Sequence, residues 1–331
     1  MNNIAIIGAG AWGTALAMIL QRVGKVISIQ AREHEVVESI NNQNENLKYF
    51  KGHKLSSKIT ATRDPKYACK EADCILLVTP SQHIRTVANH LKTFLEPQVP
   101  ILCCAKGIEQ ASGLLMSEII VEILPKNALA ILSGPTFAND VALNLPTAVT
   151  LACENQILAN MLSESLRTPH FRIYTSTDII GTQIGGAVKN VLAIACGIID
   201  GKKMGDNARA ALLTRGLNEI IRLAKAKGAK SETLIGLSGL GDLTLTCNST
   251  QSRNFTLGRA LGQGEKLESI LRKRNSVAEG VLTAESIVQL SKKLNIDMPI
   301  CSAVNNILNY NKDIDQVIFS ILNRPLIPEV I

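Results

Sequence analysis

The spacing of apolar residues divides this chain in two. In the first half, short apolar runs alternate with stretches of helical period. Asn3–Ile7 is a run ending at a glycine, and Val26–Gln30 is a second. Asp73–Thr79, Val99–Ala105 and Ala128–Ser133 are continuous runs bounded by polar residues, the pattern of strands buried on both faces of a parallel sheet. Between them, Ala11–Arg22 sets Trp12, Ala15, Leu16, Ile19 and Leu20 on one helical face, and Gly113–Leu124 has the same period. Leu145–Tyr174 adds material for further strands and a helix. From Asp178 onward strand-like runs become scarce, and Gly181–Ile199, Ala208–Lys227 and Ala284–Leu294 read as long helices. The pattern predicts an α/β chain: a doubly wound parallel sheet over 1–180, then an all-α domain over 181–331. A length of 331 residues exceeds what one core usually supports, which also points to two domains.

Composition narrows the class. The chain is 46% hydrophobic and 19% charged, which is globular, and only 3% aromatic, so the core is built from Ile, Leu, Val and Ala. The net charge of +7 raises nucleic-acid binding as a question, but the basic residues are scattered and rarely interleaved with aromatics. No nucleic-acid partner is expected. An excess of positive charge instead suits anionic small-molecule ligands. The eight cysteines show no CxxC spacing and most sit in apolar runs, as small hydrophobes of a cytoplasmic protein do. No metal-ligand cluster is evident. Ile4–Ile7 is too short a run for a signal peptide. Ile179–Ile199 is long and apolar, but it carries Gln183, Lys189 and Asn190 near its middle. A lysine at a bilayer centre costs about 2.5–3.5 kcal/mol, so a buried helix is expected and no stable membrane anchor.

Four clusters carry candidate chemistry. Gly8-Ala9-Gly10-Ala11-Trp12-Gly13 follows a strand and opens a helix. In that context Gly8 permits the turn, Gly10 admits a pyrophosphate to the backbone, and Gly13 lets helix and strand approach. The helix N-terminus then holds the phosphates of a dinucleotide in a Rossmann-type site. At the end of the second strand, where an NAD site usually has a carboxylate, the chain reads Gln30-Ala31-Arg32. Arg32 favours a 2′-phosphate, so NADP is acceptable beside NAD and can be the preferred cofactor. Lys106-Gly107-Ile108-Glu109 and Ser133-Gly134-Pro135-Thr136-Phe137-Ala138 each follow a strand, on the sheet edge where ligands bind.

Gly185-Gly186-Ala187-Val188-Lys189-Asn190 lies within the apolar helix. A desolvated Lys189 has a lowered pKa and suits proton transfer near neutral pH. Asp242, in the turn Gly239-Leu240-Gly241-Asp242, is a candidate to orient that lysine, with Thr246-Cys247 just beyond. Ser252-Arg253-Asn254 has the donors of an anion clamp. From these residues alone, a dehydrogenase acting on another hydroxy acid or sugar phosphate and a non-catalytic dinucleotide-binding regulator both stay open.

The assembled motifs resemble the bacterial NAD(P)-dependent glycerol-3-phosphate dehydrogenases through nearly the whole chain. The likeness rests on GAGAWGTALA at Gly8–Ala17, AKGIE at Ala105–Glu109, SGPTFA at Ser133–Ala138 and GGAVKNVLAI at Gly185–Ile194. SGLGDLTLTC at Ser238–Cys247, SRN at Ser252–Asn254 and VAEG at Val277–Gly280 complete it. The resemblance implies reversible hydride transfer between sn-glycerol 3-phosphate and dihydroxyacetone phosphate, feeding glycerophospholipid synthesis. It casts Lys189 as the general acid/base. It sets Lys106, Gly134, Thr136, Asp242, Ser252, Arg253 and Asn254 around the substrate. Trp12, Arg32, Lys106, Ala138, Arg253, Val277 and Glu279 go to the dinucleotide, with Gly280 and the stretch before Val277 in a cofactor-covering loop. Helical domains of this kind often mediate dimers, so a homodimer is compatible with the sequence, although no contact surface is identifiable.

Overall fold

Strands form where the apolar runs are shortest and most continuous. The structure is a computed structural model describing residues 1–273 and 278–326. Its strands are β1 (Asn3–Ile7), β2 (Val26–Gln30), β3 (Ile59–Thr62), β4 (Cys74–Leu77), β5 (Ile101–Cys103), β6 (Leu129–Ser133), β7 (Thr147–Ala152) and β8 (Phe171–Ser176). They form one sheet in the order β3-β2-β1-β4-β5-β6-β7-β8. Every pairing is parallel except β6 with β7. Parallel neighbours need crossovers, which α1 (Ala11–Arg22), α2 (His34–Gln43), α3 (Pro65–Cys69), α4 (Ile84–Leu91), α5 (Met116–Ile123) and α7 (Gln156–Leu166) help to supply, while α6 (Ala138–Ala142) lies in the connection between the antiparallel β6 and β7. The chain runs outward from β1 to β3, then returns to lay β4 on β1's other side. That reversal is the switch point at whose carboxyl edge ligands bind.

β4, β5 and β6 are buried throughout, which explains their unbroken apolar runs. They are shorter than those runs. Val78 and Thr79 leave the ladder after β4, and Cys104 and Ala105 after β5, to form the loops of the carboxyl edge. The helix expected from Gly113 starts at Met116, because Gly113 holds φ +72 in a turn. β3 had no sequence signal. It is an edge strand paired only with β2, its residues alternately buried and exposed, and its four residues are too few for a period to register.

The chain divides into two compact units: Met1–Lys106 with Met116–Ile179, and Gly107–Leu115 with the chain from Ile180 on. The excursion Gly107–Leu115 corrects the sequence reading, which left it in the first half. Ile108 and Leu115 form a β-bridge to each other and join the apolar core of the helical unit. That unit contains α8 (Ile179–Gly201), α9 (Asp206–Ala226), α10 (Ser231–Leu234), a π-helical turn Leu237–Gly241, α11 (Asp242–Cys247) and α12 (Arg253–Gly262). α13 (Leu267–Arg272), α14 (Glu279–Lys293), α15 (Pro299–Asn309) and α16 (Ile314–Leu322) complete it. α8 is buried continuously from Gly181 to Ile199, so its all-round apolar character is that of a core helix. All eight cysteines are buried and unbridged.

One buried acid ties two helices together. Glu219 of α9 accepts the N–H groups of Ile300 at 2.6 Å and Cys301 at 3.1 Å, capping the first turn of α15. Burial pushes its carboxyl up to about 7, although the two N–H groups favour the charged form. An ordinary unfolded glutamate titrates near about 4.3. The folded chain therefore holds this proton more tightly than the unfolded one, and its contribution to stability falls as pH rises through the window from about 4.5 to about 7. We expect the stability of the parent relative to Glu219→Gln to fall by about 3 kcal/mol across that window and to level off above it. Urea unfolding of both proteins from pH 4.5 to 8 checks this, and a pH-independent difference would refute it.

Candidate active site

The glycine loop between β1 and α1 is built by close approach. Gly8 holds φ +117, and a Cβ there would lie 2.9 Å from the Val78 carbonyl group. A Cβ on Gly13 would lie 2.0 Å from the Gly8 carbonyl oxygen. Both positions are closed to larger residues by the fold itself. Gly10 differs: a Cβ there would meet nothing within 4 Å, so its face is open for a ligand to approach the backbone. Gly10 is the N-cap of α1, with no side-chain cap bond and no acid in the first turn. An uncapped twelve-residue helix with an open glycine face fits a pyrophosphate. Trp12 is half-buried against the core of the sheet unit. A brace absent from the sequence reading is Asn46. Its fully buried Nδ2 donates to the Ala9 carbonyl and to the Thr14 hydroxyl, each at 2.8 Å, fixing loop and helix together. It lies in a polar stretch with no period to mark it.

The carboxyl end of β2 presents Arg32 with 81% of its side chain exposed. Its neighbour Glu33 accepts the Tyr49 hydroxyl at 2.9 Å and a long contact of 3.4 Å from Arg32. Partial burial opposes the charge on Glu33, but the tyrosine, its own backbone N–H and the arginine together hold it below the usual carboxylate range. Across the sheet, Lys106 Nζ donates to the Gly134 carbonyl at 2.9 Å. Thr136 Oγ1 donates to the same oxygen at 3.2 Å. The two turns expected on one edge are thus joined directly. Ala138 opens α6 just beyond.

The helical unit assembles the second group. A Cβ on Gly185 would stand 2.3 Å from the Ser238 carbonyl oxygen, so α8 and the π-helical turn meet backbone to backbone. Lys189 is four residues after Gly185 on the same face of α8, and Asp242 is four residues after Ser238. The close approach therefore brings the two charges together. Lys189 Nζ donates to Asp242 Oδ1 at 2.5 Å and to Thr246 Oγ1 at 2.9 Å, with 8% of the lysine side chain and none of the aspartate exposed. Removing one partner of such a pair leaves an uncompensated buried charge, at a cost of about 3–5 kcal/mol. The Gly241 N–H bonds to the Gly236 carbonyl at 3.1 Å, the wide turn that delivers Asp242.

Ser252, Arg253 and Asn254 stand at the start of α12. Ser252 is its N-cap, Oγ accepting the Phe255 N–H at 3.2 Å, while its own O–H is a separate donor. Arg253 is exposed on the first turn. Asn254 is buried, donating to Asn190 Oδ1 at 3.0 Å and accepting the Gly280 N–H at 3.1 Å. Glu279 opens α14. Val277 lies outside the described residues. Thr246 and Asn190 were not assigned roles from sequence. Their one signal was adjacency, Asn190 beside Lys189 and Thr246 one helical turn after Asp242.

A buried ammonium held by a carboxylate and a hydroxyl can protonate an oxygen that gains negative charge, and an uncapped helix beside exposed arginine can hold phosphate. The sequence model for the N-terminus of NAD-dependent glycerol-3-phosphate dehydrogenase matches residues 3–159, and that for its C-terminus matches 178–319. A glycerol-3-phosphate dehydrogenase (NAD(P)+) of Rhodospirillum rubrum is 52% identical over 326 residues, covering 98% of this chain and 93% of that protein. The crystal structure of glycerol-3-phosphate dehydrogenase from Coxiella burnetii superposes with a TM-score of 0.94 at 39% identity, over 98% of this chain and 99% of the other. The structure of the glycerol-3-phosphate dehydrogenase of Saccharomyces cerevisiae gives 0.83 at 26% identity, over 96% of this chain and 98% of the other. The chain belongs to the NAD-dependent glycerol-3-phosphate dehydrogenase family.

Proposed function

We propose that this chain interconverts dihydroxyacetone phosphate and sn-glycerol 3-phosphate with NAD(P), supplying glycerol 3-phosphate for glycerophospholipid synthesis. The observation that carries the reading is the buried Lys189–Asp242–Thr246 cluster. A bound reduced nicotinamide supplies the hydride. Lys189 donates a proton to the substrate oxygen as charge develops there, and takes it back in the reverse direction. Asp242 and Thr246 hold the ammonium in place.

Arg253 anchors the substrate phosphate with its guanidinium fork, and Ser252 and Asn254 add neutral donors. Both have donor capacity left: the Ser252 O–H, and the second amide hydrogen of Asn254. The resemblance also assigns Lys106, Gly134 and Thr136 to the substrate. Gly8, Gly10, Trp12, Gly13, Arg32, Lys106, Ala138, Arg253, Val277 and Glu279 serve the dinucleotide. A cytoplasmic enzyme is the matching location, and a homodimer is compatible with it.

A steady-state assay with dihydroxyacetone phosphate and each reduced nucleotide tests the activity itself; binding without turnover would favour a regulator. Lys189→Ala is expected to lower kcat by about 10²–10⁴-fold, the scale of a lost general acid. Near-normal turnover in that variant would remove Lys189 from proton transfer. For Arg253→Ala the expected change is weaker productive binding of the phosphorylated substrate by about 1.5–3 kcal/mol, read as kcat/KM. If the parent reduces unphosphorylated dihydroxyacetone equally well, the phosphate clamp is wrong.

A further inference from the structure

Arg63 belongs to no motif and was assigned no role by the sequence. It follows β3, the edge strand, and the fold sets it beside Arg32. β2 and β3 run parallel with Gln30 opposite Thr62, so both chains leave the sheet together at its carboxyl edge. Three bonds fix the exit. The Ala31 N–H donates to the Thr62 carbonyl at 3.0 Å, the Gln30 side-chain amide donates to the Arg63 carbonyl at 3.3 Å, and Arg63 Nε donates to the Arg32 carbonyl at 3.3 Å. The last bond uses only Nε, and the four N–H donors of the two terminal nitrogens lie beyond it. The same edge is tied to the glycine loop, since the Gly8 N–H donates to the Gln30 carbonyl at 3.1 Å. A dinucleotide with its pyrophosphate on α1 therefore extends its adenosine ribose toward the ends of β2 and β3.

The nearby carboxylates are already held by protein donors, Glu33 in part by Arg32 itself at 3.4 Å. Glu33 accepts Tyr49, and Asp64 accepts the Lys66 N–H at 2.9 Å as the cap of α3. A bare ribose diol is best bound by a carboxylate; two exposed guanidinium groups on neighbouring strand ends suit a phosphate. We propose that Arg63 acts with Arg32 as a clamp on the 2′-phosphate of NADP(H), and so sets how far this chain favours NADP(H) over NAD(H). The inference rests on the dinucleotide site proposed above.

Direct binding separates the two ideas. NADPH and NADH are titrated into the parent, Arg63→Ser and Arg63→Lys by calorimetry, with adenosine 2′,5′-bisphosphate and 5′-AMP as fragments. The parent is expected to bind NADPH more tightly than NADH. Arg63→Ser is expected to lower that affinity ratio about tenfold or more, the scale of a charged hydrogen bond. Arg63→Lys should restore part of it, as a point charge without the fork. The bisphosphate should repeat the pattern against 5′-AMP. Equal or tighter binding of NADH by the parent would overturn the preference. A ratio unmoved in both variants would remove Arg63. Binding of neither nucleotide by the parent would instead overturn the dinucleotide site on which the proposal stands.

Discussion

An ammonium and a carboxylate face each other at 2.5 Å inside a helical core, and the helical unit is arranged to make that tolerable. Burying two charges is unfavourable unless geometry and further hydrogen bonds offset the lost hydration. Thr246 supplies the additional acceptor for Lys189. α8 supplies rigidity, being covered by protein along the whole stretch from Gly181 to Ile199. The glycine at 185 supplies proximity, since any Cβ there would drive the helix off the turn that presents Asp242. The charge pair, the apolar helix and the small residue are therefore one device. A lysine that looks misplaced in a greasy helix is the reason the helix is shaped as it is.

The sheet unit solves a complementary problem with backbone. Its loop holds no cationic side chain between Gly8 and Gly13; it offers an uncapped helix end and one open glycine face. Asn46 reaches in from a distant segment to lock the loop, so the N–H groups are oriented before any ligand arrives. Preorganised dipoles of this kind favour phosphate without requiring the chain to reorganise on binding.

Much of this was readable from the residues, for identifiable reasons. β1, α1 and β2 fall within the predicted bounds because the period switches sharply at glycine on each side. The long helices of the second unit were visible by their length. The short elements were not: β3 is an edge strand, and α10 and the π-helical turn span four and five residues, too few to show a period. The excursion at Gly107–Leu115 misled because its partners, the helical core residues, come much later in the sequence. The same limit hid Asn46 and Arg63. Their significance comes from what the fold sets beside them, and nothing in their neighbours announces it. Lys189 and Asp242 were legible as a candidate pair, each an ionisable group in unexpected company, and the fold supplied the distance.

The unbridged cysteines have a practical corollary. Burial pushes the thiols of Cys74 and Cys103 up to about 12, so at neutral pH only about one in 10⁵ carries the reactive anion. An unfolded cysteine, near about 8.5, carries that form a few per cent of the time. All eight thiols are buried, so alkylating reagents reach them only when some part of the chain opens. Because the eight thiols are spread over both units, the order in which they become labelled is a built-in record of which parts of the chain come apart first.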